Sequence, residues 1–526
     1  MLPPPGGSAP PETVGPPGCP CSASGYGAGM AERVDAVVVG AGPNGLAAAL
    51  VLAESGRQVV VYEAADTVGG GARTAELTLP GFRHDVCSAV HPAAVASPFF
   101  RAFDLAAHGV EMLNPEASYA HPLDGGRAAI AWRDLERTVD GLGVDGPAWR
   151  GLLEPLVGRW EDVADLVLSD LRSLPRSLAT GAKVARRVLE QGSRFWNRRF
   201  ADEVAPALLT GVSTHAIAPV PGLVPAGAGL WLATLGHATG WPVPRGGSQT
   251  MMDALAARIR ALGGQLRTSH PVTSLDELPV ADAVLLDVAP AGLLRITGDR
   301  LPPSYAKALR RYRYGNAVCK VDFALSGPVP WAASDCAWAG TVHLGGNRAE
   351  MVASENEVKA GRHPDRPYVL LAQPSVVDDS RAPPGRHALW TYAHVPRDST
   401  VDMAEAVTAQ IERFAPGFRD LVLSRHVITA AEYGDYNANY VGGDIAAGAP
   451  TPWQLVMRPV PRWDPYRTPL DGVYLCSSAT PPGPAVHGMS GLHAARRALR
   501  QVFGDRRDPL ALVSEGTRMG QPRADS

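Results

Sequence analysis

Residues 35–63, DAVVVGAGPNGLAAALVLAESGRQVVVYE, decide the fold. Val37 to Val39 form a short apolar run of the kind that a strand buried on both faces shows. Gly40, Gly42 and Gly45 follow at G-x-G-x-x-G spacing. The first allows a sharp turn, the second lets a pyrophosphate approach the backbone, and the third lets a helix pack close to the strand. Leu46 to Ser55, rich in Ala and Leu, predicts that helix, with its N-terminal N–H groups toward the phosphates. Gly56 stops it, and Gln58 to Tyr62 reads as a second parallel strand. Glu63 then falls where a carboxylate can bond both hydroxyls of a ribose. A lone G-x-G-x-x-G carries little weight in a chain with 56 glycines. Here strand, helix, stop, strand and acid fall in register, and together they predict a dinucleotide-binding unit.

The chain has 526 residues, enough for two or three domains. Its formal charge of −3 argues against a nucleic-acid partner, which would need a basic face. Lysine occurs only at 183, 307, 320 and 359, which limits mechanisms that require one. The six cysteines contain no C-x-x-C, so neither a disulfide framework nor a zinc site is expected, and a reducing, cytoplasmic setting is the default. Cys19 and Cys21 lie in a Pro/Gly-rich stretch over 1–29 that has no basic start and no apolar core, so it is not a signal peptide; it reads as tail, with Met30 as a candidate start. No apolar run reaches the ~18–20 residues of a membrane span. Peripheral membrane contact stays open, although no strongly basic amphipathic helix announces it.

Nucleotide-binding signals recur along the chain, so the domains are expected to interleave. The expected division is a disordered tail over 1–30, a cofactor domain over 31–110, 241–300 and 461–510, and a substrate domain over 111–240, mainly helical, and 301–460, sheet and helix, with a flexible tail over 511–526. A long helical stretch from about Pro147 to Phe200 carries a stripe (Leu152, Leu156, Trp160, Val163, Leu166) that reads as core. Residues 205–241 are poor in charge and rich in Gly, Ala, Leu and Trp, as packed helices or the wall of an apolar cavity would be. A helix over Thr250–Leu262, a Gly263-Gly264 cap and a strand containing Val272 follow. The fold class is therefore α/β: a Rossmann-like cofactor domain interleaved with an α+β substrate domain of mixed sheet.

The opening motif does not separate NAD from FAD. Three further stretches favour FAD by resembling phosphate-contact, adenine-side and flavin-ring motifs of flavoproteins: Val68-Gly-Gly-Gly-Ala-Arg-Thr74, Pro244-Arg-Gly-Gly247 with its helix and Val272, and Gly472-Val-Tyr-Leu-Cys-Ser-Ser-Ala-Thr-Pro-Pro-Gly-Pro-Ala-Val-His-Gly-Met-Ser-Gly491. With these, residues 33–505 resemble the phytoene-desaturase-like FAD-dependent oxidoreductases of the glutathione-reductase structural class. The likeness runs strongest toward the pyridine nucleotide-disulfide oxidoreductase domain-containing protein 2 branch and its bacterial relatives. Two departures stand out: Ser477-Ser478 where desaturases usually have Gly-Ala, and Pro484-Ala485 in place of Gly-Gly. Disulfide chemistry is not supported, because both a redox cysteine pair and a second G-x-G-x-x-G after a strand are missing.

Motifs and resemblance together nominate Gly40, Gly42, Pro43, Asn44, Gly45, Glu63, Gly70, Gly71, Arg73, Val272, Ala479, Val486, His487, Gly488 and Met489 as FAD contacts. The final helix, from about Ser490, would point its positive end at the flavin. No catalytic residue is assigned; His487 is the one candidate acid or base, set against a histidine that merely orders a loop. No metal site is expected at His84, His91 or His343, and Asp85 and Glu76 read as solvated or capping carboxylates. The resemblance implies hydride transfer between flavin and an apolar small molecule, with isoprenoids and polyenes as the candidate class. The alternatives are an amine oxidase using Lys307 or Lys320, and a non-catalytic escort protein of the same fold. A mitochondrial location is implied only by the animal relatives in that branch.

Overall fold

The computed structural model describes residues 33–170 and 174–520. The expected tail over 1–30, the candidate start at Met30, the cysteines at 19 and 21, and residues 521–526 lie outside the described residues.

Val37 to Val39 sit at the centre of an all-parallel sheet of five strands. Its order is Val473–Leu475, Val280–Leu286, Arg33–Val39, Val59–Tyr62 and Gln265–Arg267. Three separated stretches of chain therefore build one sheet. The central strands read as unbroken Val and Leu because helices cover both faces of such a sheet. The fingerprint helix runs Pro43–Glu54, starting earlier than Leu46 because Pro43 fixes a helical φ at the first position. A Cβ on Gly45 would stand 2.0 Å from the Gly40 carbonyl oxygen, so only glycine admits this close strand-to-helix crossing. The closing helix, Met489–Gln501, packs on the same helix; a Cβ on Gly491 would stand 1.9 Å from the Asn44 carbonyl.

A second sheet of seven strands runs Val422–Ile428, Ala317–Leu325, His387–Val395, Val369–Ala372, Ala339–Leu344, Ala117–Leu123 and Arg127–Trp132. Its pairs are antiparallel except where Ala339–Leu344 meets Ala117–Leu123. One face packs on the helix Ala404–Phe414 through Val321, Phe323, Leu371 and Leu389. The other face carries Lys320, Leu370, Trp390 and Tyr392, since strand side chains alternate and Lys320, Tyr392 and Leu370 pair in register.

Three expectations need correction. Among its described residues, the stretch over 147–200 is three helices, Gly146–Val157, Trp160–Val167 and Leu178–Gln191, broken at Gly158 and started again at the Ser177 N-cap. Val272 is not in a strand: pairing ends at Arg267, after which Ser269 adopts φ +52° and the chain crosses the strand ends. The expected flexible tail is a helix, Pro509–Gly520, over its described part. Leu512 and Val513 are buried there, and Arg258 Nη2 donates to the Gly516 carbonyl. Among the described residues, no helix is long and apolar enough to cross a membrane.

Candidate functional site

A cavity of about 1030 Å³ opens at the C-terminal ends of the parallel strands, where ligands bind in open α/β sheets. It lies at the top of the usual ~300–1,000 Å³ range for ligand pockets. At one end the two glycine motifs meet. A Cβ on Gly70 would lie 2.8 Å from Gly42 Cα, so the floor is bare backbone that no larger residue leaves open.

The fingerprint loop is built for an anion. Pro43 has no N–H, and the Gly45 N–H donates to Asp287 Oδ2 at 2.8 Å, which leaves the Asn44 amide and the positive helix end for a phosphate. Glu63 is fixed by the N–H groups of Ala41 (2.7 Å) and Ala65 (2.9 Å), one on each carboxylate oxygen. Each oxygen keeps a lone pair for a sugar hydroxyl. Bare floor, helix end and held carboxylate fit the pyrophosphate and ribose of FAD.

Gly40, Gly42, Pro43, Asn44, Glu63, Gly70, Gly71, Arg73, Val272, Val486 and His487 all line this cavity. Four nominated residues stand behind its wall instead. Gly45 is pressed on Gly40, a Cβ on Gly488 would meet the Phe99 ring at 2.5 Å, and Ala479 and Met489 are buried. They shape the loops rather than form the cavity surface. Arg73 is committed to Tyr436: Nη2 donates to its carbonyl at 2.7 Å, and the guanidinium lies 4.1 Å over its ring.

Near the C-terminal motif, Asn44 Nδ2 donates to Ser478 Oγ at 3.2 Å, which ties the fingerprint to the residue pair that departs from Gly-Ala. Ala485 adopts φ +125°, a region suited to glycine, at the position where the related motif has one. His487 uses both ring nitrogens within its own loop: Nδ1 accepts from the Met489 N–H (3.0 Å), and Nε2 donates to the Gly483 carbonyl (3.1 Å). Burial lowers it to about 4. Its geometry is that of a neutral loop-ordering histidine.

Asp85, read from sequence as solvated or capping, is buried. Its Oδ1 accepts from Thr74 Oγ1 (2.7 Å) and the Ser248 N–H (2.8 Å), and its Oδ2 from Arg381 Nη1 (2.9 Å). Burial pushes its carboxyl up, but Arg381 and these bonds outweigh that and hold it below its ordinary value. Asp378 holds the other side of the same buried guanidinium at 2.7 Å. The network locks the second glycine motif to the returning helix Gln249–Ala261.

The other lobe of the cavity is apolar. Leu166, Val188, Val224, Trp231 and Leu232 form one side, and Trp390 and Tyr392 of the second sheet another. Thus 205–241 supplies both packed helix and cavity wall, and Leu166 of the supposed core stripe faces the cavity. Among lining residues between 166 and 241, His215 alone titrates. Its Nε2 lies 2.8 Å from Nε2 of His343, one donating to the other. Burial lowers His215 to about 3 and holds His343 well below its ordinary value, so both are neutral at physiological pH. Beneath Trp390, Lys320 is fully buried and bonded to Asp322; burial lowers the lysine and raises the carboxyl.

Sequence reading missed Asp287, His215 and the wall over 434–458. An aspartate ending the buried run Val284-Leu-Leu286 was a usable signal for the first. Nothing local marks the others.

The family described as Flavin containing amine oxidoreductase matches residues 44–499. The mouse pyridine nucleotide-disulfide oxidoreductase domain-containing protein 2 is 25% identical, over 91% of this chain and 95% of that protein. The zeta-carotene-forming phytoene desaturase of Myxococcus xanthus is 28% identical, over 68% of this chain and 72% of that protein. A solved oxidoreductase structure from Methanosarcina mazei superimposes with a TM-score of 0.59 at 17% identity, covering 89% of this chain and 100% of that one.

Proposed function

From the chain's membership of the Flavin containing amine oxidoreductase family, which makes it an FAD-dependent oxidoreductase, we propose that it transfers hydride between flavin and an apolar substrate of isoprenoid or polyene type. The observation that carries this reading is the continuity of one cavity from the glycine floor to the apolar lobe.

Bound FAD supplies the two-electron chemistry. The chain's own residues do the rest. Glu63 and the helix end at Asn44 bind and orient the cofactor. Trp231, Leu232 and Trp390 exclude water and accept a hydrocarbon, whose burial contributes about 25 cal/mol per Å². Removing hydrogen from a carbon pair leaves a proton on the second carbon. His215, neutral and backed by His343, can take it inside an otherwise apolar wall.

A polar amine suits this lobe less, because Lys320 is already committed to Asp322. The test is anaerobic mixing of the FAD-loaded protein with lipophilic polyenes, with a diamine and with NADPH, followed by flavin absorbance. Reduction by a polyene, or reoxidation of reduced flavin by one, supports the proposal. Reduction by the diamine alone, with hydrogen peroxide formed in air, would replace it with amine oxidation.

A further inference from the structure

The helix Leu178–Gln191 is apolar on both sides. Its inner face places Val184 and Val188 in the cavity wall, with Thr180, Arg187 and Gln191 buried beside them. Its outer face carries Leu178, Ala182, Ala185 and Leu189, spaced to form one stripe, and all four are exposed. Leu178 is 68% exposed and Leu189 is 60% exposed, and Leu174, just before the helix, is 87% exposed. A helix that only closed a cavity would carry polar residues outward.

The surrounding charge points to the occupant. In a chain of net charge −3, residues 174–200 hold seven basic side chains and one acidic. Arg187 is spent on the carbonyls of Gly151 and Leu152, Arg199 on Glu190, and Arg176 on Asp165. Lys183, Arg186, Arg194 and Arg198 are exposed and form no ion pair within 4.0 Å among the described residues; Arg186 also acts on Glu190, and Arg194 and Arg198 lie over the Phe195 ring. A second helix of the cavity wall, Pro452–Met457, exposes Trp453 (65%), while Pro452 and Leu455 line the interior. Leu223, 40% exposed, also lines it, so an opening lies on this side.

We infer that this face docks on an anionic lipid bilayer, with Leu174, Leu178, Leu189 and Trp453 entering the interface and the unpaired cations resting on headgroup phosphates. The sequence reading found no strongly basic amphipathic helix and did not single out residues 174–200. The proposal does not depend on which substrate is turned over.

The experiment is co-sedimentation of the FAD-loaded full chain with vesicles of phosphatidylcholine alone or mixed with phosphatidylglycerol, at low and high salt. Binding is expected on the mixed vesicles, released by salt that shortens the Debye length. Lys183→Glu with Arg186→Glu should weaken it by about tenfold or more. Leu178→Ser with Leu189→Ser should weaken it at unchanged charge. Flavin content and melting temperature verify each fold, and Arg194→Glu with Arg198→Glu serves as a second charge pair. Absence of binding, equal binding to both vesicle types, or full binding by all variants would overturn the proposal. So would a concentration-dependent dimer that the serine pair dissolves, because the stripe would then be covered by a second copy.

Discussion

The carboxylate of Asp287 accepts the Gly45 N–H at 2.8 Å, within the glycine loop proposed to meet the cofactor's pyrophosphate. Burial, with the charge of Glu63 adding to it, raises Asp287 to about 7, although the Gly45 bond opposes the rise. Its folded value lies above its unfolded one. Its contribution to stability is therefore full below the ordinary aspartate range and is lost as pH climbs through about 7. Asp287→Asn keeps an acceptor for Gly45 and removes the charge. Urea melts from pH 4 to 8 should show the wild type losing stability relative to this variant by about 2–4 kcal/mol. FAD affinity should weaken above pH 7 in the wild type and stay flat in the variant.

Seven buried histidines predict acid lability. His84 and His215 are held at about 3, and His91, His121, His237, His487 and His493 at about 4, each chiefly by burial. Their folded values lie below the unfolded one. The stability they contribute is complete above pH 6.5 and drains away as pH falls toward 4. The slope of unfolding free energy against pH near 5 should report several protons taken up on unfolding. A flat profile there would contradict neutral burial.

His215→Gln and His343→Gln test proton acceptance. Each should slow flavin reduction by about 10²–10⁴ with the polyene substrate while changing its binding far less. Loss of binding without loss of the rate of reduction would make the pair part of the wall only.

Arg381→Met removes the buried cation that holds Asp85 and Asp378. Two buried carboxylates left unpaired should cost about 3–5 kcal/mol in urea unfolding. A loss within about 0.5 kcal/mol would show that the network is not needed for stability.

Ala485→Gly relaxes a lining alanine whose backbone sits at φ +125°. Relief of strain should exceed the added chain entropy by about 1 kcal/mol, read as a higher melting temperature.

The βαβ unit was legible because its determinants are contiguous. A bare turn, a close crossing and a buried strand each restrict residue type within a 29-residue window, and the glycine floor follows from the same sterics. Val272 lines the cavity without the strand expected to carry it, since that strand ends at Arg267 and the chain turns at Ser269. Asp287 meets Gly45 across 242 positions, and Arg73 meets Tyr436 across 363, so no local pattern records either pair. Gly488 and Met489 are beside the cofactor region in sequence but turn into Phe99 and the closing helix. The stripe that ends at Leu166 was only partly legible for a different reason: apolar spacing gives periodicity, not whether a side faces core or cavity.

A crystal structure of the FAD-loaded protein tests the central claim most directly. The account predicts the ribose on Glu63, the pyrophosphate over Gly42 and Gly70, and the flavin ring by Val486 with one face open to the lobe of Trp231 and His215. Density for the ring outside that cavity, or a ribose not bonded to Glu63, would contradict it.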